Sequence, residues 1–207
     1  LEVVPAHGCP CHPDQLPGTY AYAQVVCTVP RRAGKTRLAQ TAALYRASQP
    51  GAFVWMTAQD GKNVAEKFRL ELLPDLLASP LAPYIKPRTS QGNERLQFDG
   101  GGVLKLFAPN AESVHGFDGD MILVDEAWAF DLLRGQALEA AARPTGLTRY
   151  GRFQFWLVSA GGDETSTWLD HWMQLGRDGA TGVAYFEWAA DPDAEGYDPY
   201  DVATIES

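Results

Sequence analysis

A chain of 207 residues suits one large domain, and 45% hydrophobic with 11% aromatic residues is enough for a sizeable buried core. The formal charge of -9 is concentrated: Glu187 to Ser207 holds seven acids and no Lys or Arg, which leaves 19 acids against 17 bases elsewhere. A nearly neutral body excludes a broad basic nucleic-acid face, so any DNA contact must be local, and no apolar run approaches the ~18–20 residues of a membrane span.

The opening Leu-Glu-Val-Val-Pro lacks the basic-then-apolar pattern of a signal peptide, so a soluble cytosolic protein is expected. Residues 1–19 are rich in Pro and Gly and read as an irregular lead-in. Cys9 and Cys11, within His7-Gly-Cys-Pro-Cys-His12, raise a metal site. The Cys-x-Cys spacing lacks the second ligand pair of structural zinc sites, which favours a loop. Cys27 sits in an apolar run and reads as a core residue.

Ala23 to Val29 is a short β-rich run, typical of a buried parallel strand. Pro30 and Gly34 break it, and Thr36 to Ala47 reads as a helix with Leu38, Ala42 and Tyr45 on one side. Ala52 to Thr57 is a second buried strand, and Lys62 to Leu77 an amphipathic helix with Val64, Phe68, Leu72 and Leu76 on its apolar face. Alternation in Arg95–Phe98 and Val103–Phe107 around Asp99-Gly-Gly-Gly102 predicts a hairpin. Met121 to Val124 is a strand ending in Asp125-Glu126. Arg134–Ala142 and Thr165–Leu175 look helical, and Phe153–Ser159 and Val183–Trp188 extended. Strands alternating with helices imply an α/β domain on a mainly parallel sheet with an inserted antiparallel hairpin. The domain spans 20–190, and 191–207 reads as an acidic linker leading out of it.

Val29-Pro-Arg-Arg-Ala-Gly34-Lys35-Thr36 matches the phosphate-binding pattern Gly-x4-Gly-Lys-[Ser/Thr] except that Val29 replaces the first Gly. Gly34 would let the backbone approach the phosphates of ATP, Lys35 would reach the β- and γ-phosphates, and the Thr36 hydroxyl would ligate Mg²⁺. The ATP-binding set is Arg31, Arg32, Ala33, Gly34, Lys35, Thr36 and Arg37. Arg31 and Arg32 either face solvent or reach the γ-phosphate, where a guanidinium stabilises transition-state charge. Asp125 would hold Mg²⁺ through its water shell and Glu126 would orient or deprotonate the attacking water. The phosphate loop and the acid pair must then meet across adjacent strand ends. Ser159-Ala160-Gly161 ends a later strand where ligands bind in such sheets. Its hydroxyl could sense the γ-phosphate and relay its loss, or the segment is an ordinary strand-to-helix turn.

Together these segments resemble the ATPase domain of phage large terminases, the motors that pump DNA into capsids. The resemblance rests on Val29–Thr36, Ser113-Val-His-Gly116 before the acidic strand, Ile122–Glu126, Ser159–Gly161 and the trailing Tyr185–Pro192, and covers residues 20–192. It implies a P-loop NTPase (ASCE/RecA-like) three-layer sandwich that hydrolyses ATP with Mg²⁺ to drive double-stranded viral DNA into a capsid. It further implies a homo-oligomeric ring on the portal protein, monomeric in isolation, with the small terminase subunit as partner, in the host cytoplasm and away from membranes. A C-terminal nuclease domain would lie beyond this sequence, so nuclease activity is not expected of these residues.

Family members carry an upstream Gln for adenine. The upstream glutamines here are Gln15 and Gln24, and Gln24 in a strand reads as structural. Where some members place a trans-acting Arg before the Gly of the pre-acidic segment, this chain has His115. A trans-acting or DNA-contacting role then passes to Arg143, Arg149 or Arg152, in a stretch from Ala140 to Gly162 without any acid; a solvated loop is the plainer reading. The alternatives are a helicase-like P-loop ATPase, which would need a second motif set, and a non-hydrolysing nucleotide-binding assembly module, which would not need Glu126.

Overall fold

The computed structural model describes residues 20–113, 118–149 and 151–189; Cys9, Cys11, Gln15, His115 and the acidic stretch 191–207 lie outside the described residues. Among the described residues eight strands form one sheet: β1 (Gln24–Thr28), β2 (Phe53–Thr57), β3 (Ile85–Arg88), β4 (Arg95–Phe98), β5 (Val103–Leu106), β6 (Met121–Asp125), β7 (Gln154–Ser159) and β8 (Val183–Glu187). Their order is β3-β4-β5-β2-β6-β7-β1-β8. All pairings are parallel except those of β4 with β3 and β5, so the expected α/β sheet with its antiparallel hairpin is present. β3 was not foreseen. Its sequence Ile-Lys-Pro-Arg has one buried residue and a proline tolerated only at an edge, so no alternation announces it.

Successive residues of the central strands point to opposite faces. Val25, Cys27, Val54, Met56, Leu123 and Val158 enter one apolar layer, and Val26, Trp55, Ile122, Val124 and Leu157 the other. α1 (Lys35–Ala47) packs on the first face. Its buried side is Lys35, Ala39, Gln40, Ala43, Arg46 and Ala47. Leu38 and Tyr45, expected with Ala42 on one side of the helix, are exposed. The sequence misleads here because α1 turns small and polar residues inward. Lys35 begins it at the carboxyl end of the sheet, and Arg46 ends it at the amino end. There Arg46 stacks on Tyr20 at 4.2 Å, hydrogen-bonds its hydroxyl and the Arg152 carbonyl, and lies 4.0 Å from Asp120.

The helix expected over Lys62–Leu77 is three consecutive pieces: α2 (Gly61–Lys67), a π turn (Phe68–Leu72) and α3 (Leu73–Leu77). Val64, Phe68, Leu72 and Leu76 are all buried, as their spacing requires. A strict interval of four drifts by about 40° per step in a regular helix, or about 120° from Val64 to Leu76. The wider i→i+5 turn, closed by the Leu73 amide on the Phe68 carbonyl, takes up that drift. Pro74 supplies a local cause, since it has no N–H for the Leu70 carbonyl and its ring would crowd that group in an α turn. The residues at 67, 71 and 75 form a second aligned stripe. Among the described residues no helix is long and apolar enough to cross a membrane.

On the opposite face α4 (Leu132–Ala142) and α5 (Thr167–Arg177) touch through Gly135 and Trp168. A Cβ at Gly135 would stand 2.1 Å from the indole ring of Trp168, which is fully buried and donates from Nε1 to Glu139 at 2.6 Å. Gly135→Ala is therefore expected to destabilise the chain by about 1–3 kcal/mol, read as a lower urea midpoint. An unchanged midpoint would mean that the two helices part without cost.

Candidate active site

The connections leaving β1 and β7 go to opposite faces, α1 to one and α5 to the other, which opens a crevice at their carboxyl ends. The phosphate loop occupies it. Arg32 and Gly34 both adopt left-handed backbone, with φ of 67° and 83°. Glycine is needed at residue 34 for that φ, since its Cβ position is otherwise open. Gly34 precedes α1 with no capping side chain, so the first amides of the helix are left for a ligand.

Lys35 and Thr36 meet Asp125 and Glu126. Lys35 Nζ donates to Asp125 Oδ1 at 3.1 Å and to Glu126 Oε1 at 2.7 Å, and Thr36 Oγ1 donates to Asp125 Oδ2 at 3.4 Å. The strands bearing these groups are not neighbours: β7 runs between β1 and β6, so the contact bridges over the end of β7 rather than between adjacent strand ends. Asp125 is fully buried, and its carboxylate also accepts from the Glu126 amide at 3.0 Å and from Lys67 Nζ at 3.2 Å. Lys67, from the end of α2, reaches Glu126 Oε1 as well, at 3.5 Å. Glu126 Oε2 accepts from Trp128 Nε1 at 2.8 Å. Glu126 has φ 60° and ψ 46°, a left-handed conformation that costs a side-chain-bearing residue about 1–3 kcal/mol and is common at functional sites.

Burial pushes the Glu126 carboxyl up, but the hydrogen bond and charge of Lys35, with Trp128 and Lys67, outweigh it and hold the group below its ordinary range. Burial likewise pulls the Lys67 ammonium down, and Asp125 and Glu126 more than compensate, so it stays protonated above the usual lysine range.

Arg31 and Arg32 are exposed and line a cleft of about 620 Å³ with Gly34, Thr36, Glu71 and Trp128. Arg37 lines it too, with its guanidinium on Asp75 of α3. Ala160 lies at the cleft wall. Ser159 is fully buried and accepts from the Trp128 amide at 3.0 Å, so it touches the loop after Glu126 rather than the cleft. A larger concavity of about 790 Å³ lies beside α2 and β5, lined by the mixed charges Lys62, Glu66, Arg69 and Glu94. It contains none of the phosphate loop or acid pair, so chemistry rather than size selects the smaller cleft.

Arg143, Arg149 and Arg152 lie at the other end of the sheet, and the first two are not in a solvated loop. Arg143–Arg149 is a 3-10 helix. Arg143 donates to Gln24 Oε1 at 3.2 Å and to Glu139 at 3.3 Å, and stacks on Trp172. Gln24 is buried, in keeping with a structural role. Arg149 sits 3.7 Å from Asp120, and Arg152 is exposed. Lys67, Glu71 and Trp128 were not singled out from sequence; a lysine beside an apolar helical stripe is ordinary, and no local motif distinguishes it.

No family model matches the chain, and no curated protein is similar to it in sequence. Solved structures are similar in fold. The HK97 bacteriophage large terminase superposes with a TM-score of 0.67 at 16% identity, over 84% of this chain and 37% of its own. The large terminase of a thermophilic bacteriophage in complex with ADP gives 0.58 at 11% identity, over 81% and 40%. The ATPase domain of the Thermus phage P74-26 large terminase gives 0.58 at 16%, over 84% and 78%. The chain thus spans about two fifths of the two whole terminases and shares its P-loop fold with that part of each and with the P74-26 ATPase domain.

The charge cluster makes stability depend on pH in a definite sense. With its folded pKa lowered, Glu126 contributes stability above the ordinary glutamate value of about 4.3, lost as pH falls through the folded value. With its folded pKa raised, Lys67 contributes below the ordinary lysine value of about 10.4, lost as pH rises through the folded value. Between about pH 7 and about pH 3, urea midpoints should therefore fall more steeply for the wild-type chain than for Glu126→Gln. Parallel curves would show that the Glu126 pairings are not coupled to folding.

Proposed function

We propose that this chain is the ATPase domain of a terminase-type packaging motor, hydrolysing ATP with Mg²⁺ to drive double-stranded viral DNA into a capsid. The observation that carries the reading is Lys35, between Asp125 and Glu126 at the mouth of the cleft, on the fold of large terminase ATPase domains. The domain would end near residue 190, with 191–207 as a linker toward a nuclease domain and with portal, small terminase subunit and sister subunits as partners.

Thr36 Oγ1 and Asp125 Oδ2 are hard oxygen donors side by side, a set that suits Mg²⁺. Among the described residues no cluster of three His, Cys, Asp or Glu side chains gathers, which fits an ion that arrives with the nucleotide and is completed by its phosphates. When bound, the ion would supply charge neutralisation along the phosphates.

The remaining chemistry belongs to the chain. Lys35 and the amides at the start of α1 would hold the β- and γ-phosphates, and Arg31 and Arg32 would add positive charge at the rim. Glu126, kept as a carboxylate, would accept a proton from the attacking water or orient it. Ser159 would relay the state of the site through Trp128, whose amide it holds and whose indole holds Glu126. A non-hydrolysing module would have no use for a carboxylate held charged in this position.

Lys35→Ala should weaken binding of a non-hydrolysable ATP analogue by at least about tenfold in calorimetry. Glu126→Gln should bind it nearly as the wild type does, while turnover falls by about 10²–10⁴-fold. Unchanged binding in the first variant would refute the phosphate-loop reading, and full turnover in the second would remove Glu126 as the base. Specific activity should also rise with protein concentration or added portal, because rings supply a residue in trans; a flat dependence would count against a motor.

A further inference from the structure

Glu126 Oε1 is shared by two ammonium groups, and only one belongs to the phosphate loop. Lys35 has three N–H donors, two of them on carboxylates, and a triphosphate in the cleft would draw them away. The 2.7 Å contact on Oε1 would then be lost, leaving Trp128 on Oε2 as the other strong donor. One donor on one oxygen does not fix the plane of a carboxylate; a second donor on the other oxygen, from a different element, does.

We infer that Lys67 is a positioning residue for the hydrolytic step, holding Glu126 Oε1 and Asp125 Oδ2 in place once Lys35 serves the nucleotide. Three features keep it there. It is flanked by the buried Val64 and Phe68, so its backbone is anchored in the core. It begins the stripe Lys67, Glu71, Asp75, in which Glu71 lines the cleft and Asp75 pairs with Arg37 of α1, tying this helix to the one that carries the loop. The π turn that follows keeps the stripe aligned with the site. Lys67 Nζ also lies 3.2 Å from Asp125 Oδ2, the oxygen that Thr36 approaches, so it balances the buried carboxylate.

The inference rests on the ATPase reading, and the test separates the two. Wild type, Lys67→Met and Lys67→Arg are compared for affinity toward a non-hydrolysable ATP analogue with Mg²⁺ by calorimetry, and for kcat and KM. Lys67→Met should bind the analogue within about threefold of wild type and lose at least about tenfold in kcat, and Lys67→Arg should regain most of that loss. If methionine lowers the urea midpoint, Lys67→Gln, which keeps a donor without the charge, takes its place with the same expectation. Wild-type kcat in the methionine variant, an affinity loss equal to the kcat loss, or failure of arginine to rescue would each overturn the role. Tighter Mg²⁺-dependent binding with unchanged kcat would overturn it too, marking Lys67 as a mere occupant of the ion's place. A wild-type chain that does not bind the analogue would overturn the ATPase reading itself.

Discussion

A carboxylate with no solvent access, at the end of a central strand, is the constraint around which this molecule is arranged. Asp125 is tolerable there because four donors reach it: two lysines, a hydroxyl and a backbone amide. They come from α1, from α2 and from the Glu126 backbone, so one side chain fixes the spacing of several elements. Leaving so buried a charge with no cationic partner costs about 3–5 kcal/mol, which makes fold and site inseparable. The bridging contact spans the end of β7, whose last residue, Ser159, holds the Trp128 amide.

α1 is fastened at both ends by charge rather than by an apolar stripe. Lys35 is bound to the acid pair at one end of the sheet, and Arg46 to Tyr20, the Arg152 carbonyl and the vicinity of Asp120 at the other. Between them alanines lie flat against the strands. The arginines suspected of reaching beyond the subunit belong largely to this second end. Arg143 and Arg149 are spent on Gln24, Glu139 and Asp120, and Arg152 is the exposed one.

The parallel strands were legible because each is a compact apolar run, and Lys35, Thr36, Asp125 and Glu126 because phosphate chemistry imposes a local pattern between a strand and a helix. What the sequence concealed has physical causes. β3 is an edge strand with one buried residue, so its pairing comes from β4 and not from its own composition. The inward face of α1 is small and polar, and hydrophobic spacing pointed to Leu38 and Tyr45 on the wet side instead. Lys67 enters the site through tertiary packing, 58 residues before Asp125, and Trp128, two residues after Glu126, through the left-handed turn at Glu126; no motif encodes either.

The π turn between α2 and α3 joins two properties that usually vary independently. Closed as ordinary α-helix with all five residues kept, Phe68–Leu72 would rotate everything before it by about 100° relative to everything after it. Val64 and Lys67 stand on the same side of that break, so the core contact and the ammonium swing as one body. The wide turn therefore acts as a phase setting for the helix: tightening it with every residue kept shifts hydrophobic registry and charge placement together, and neither can be retuned alone.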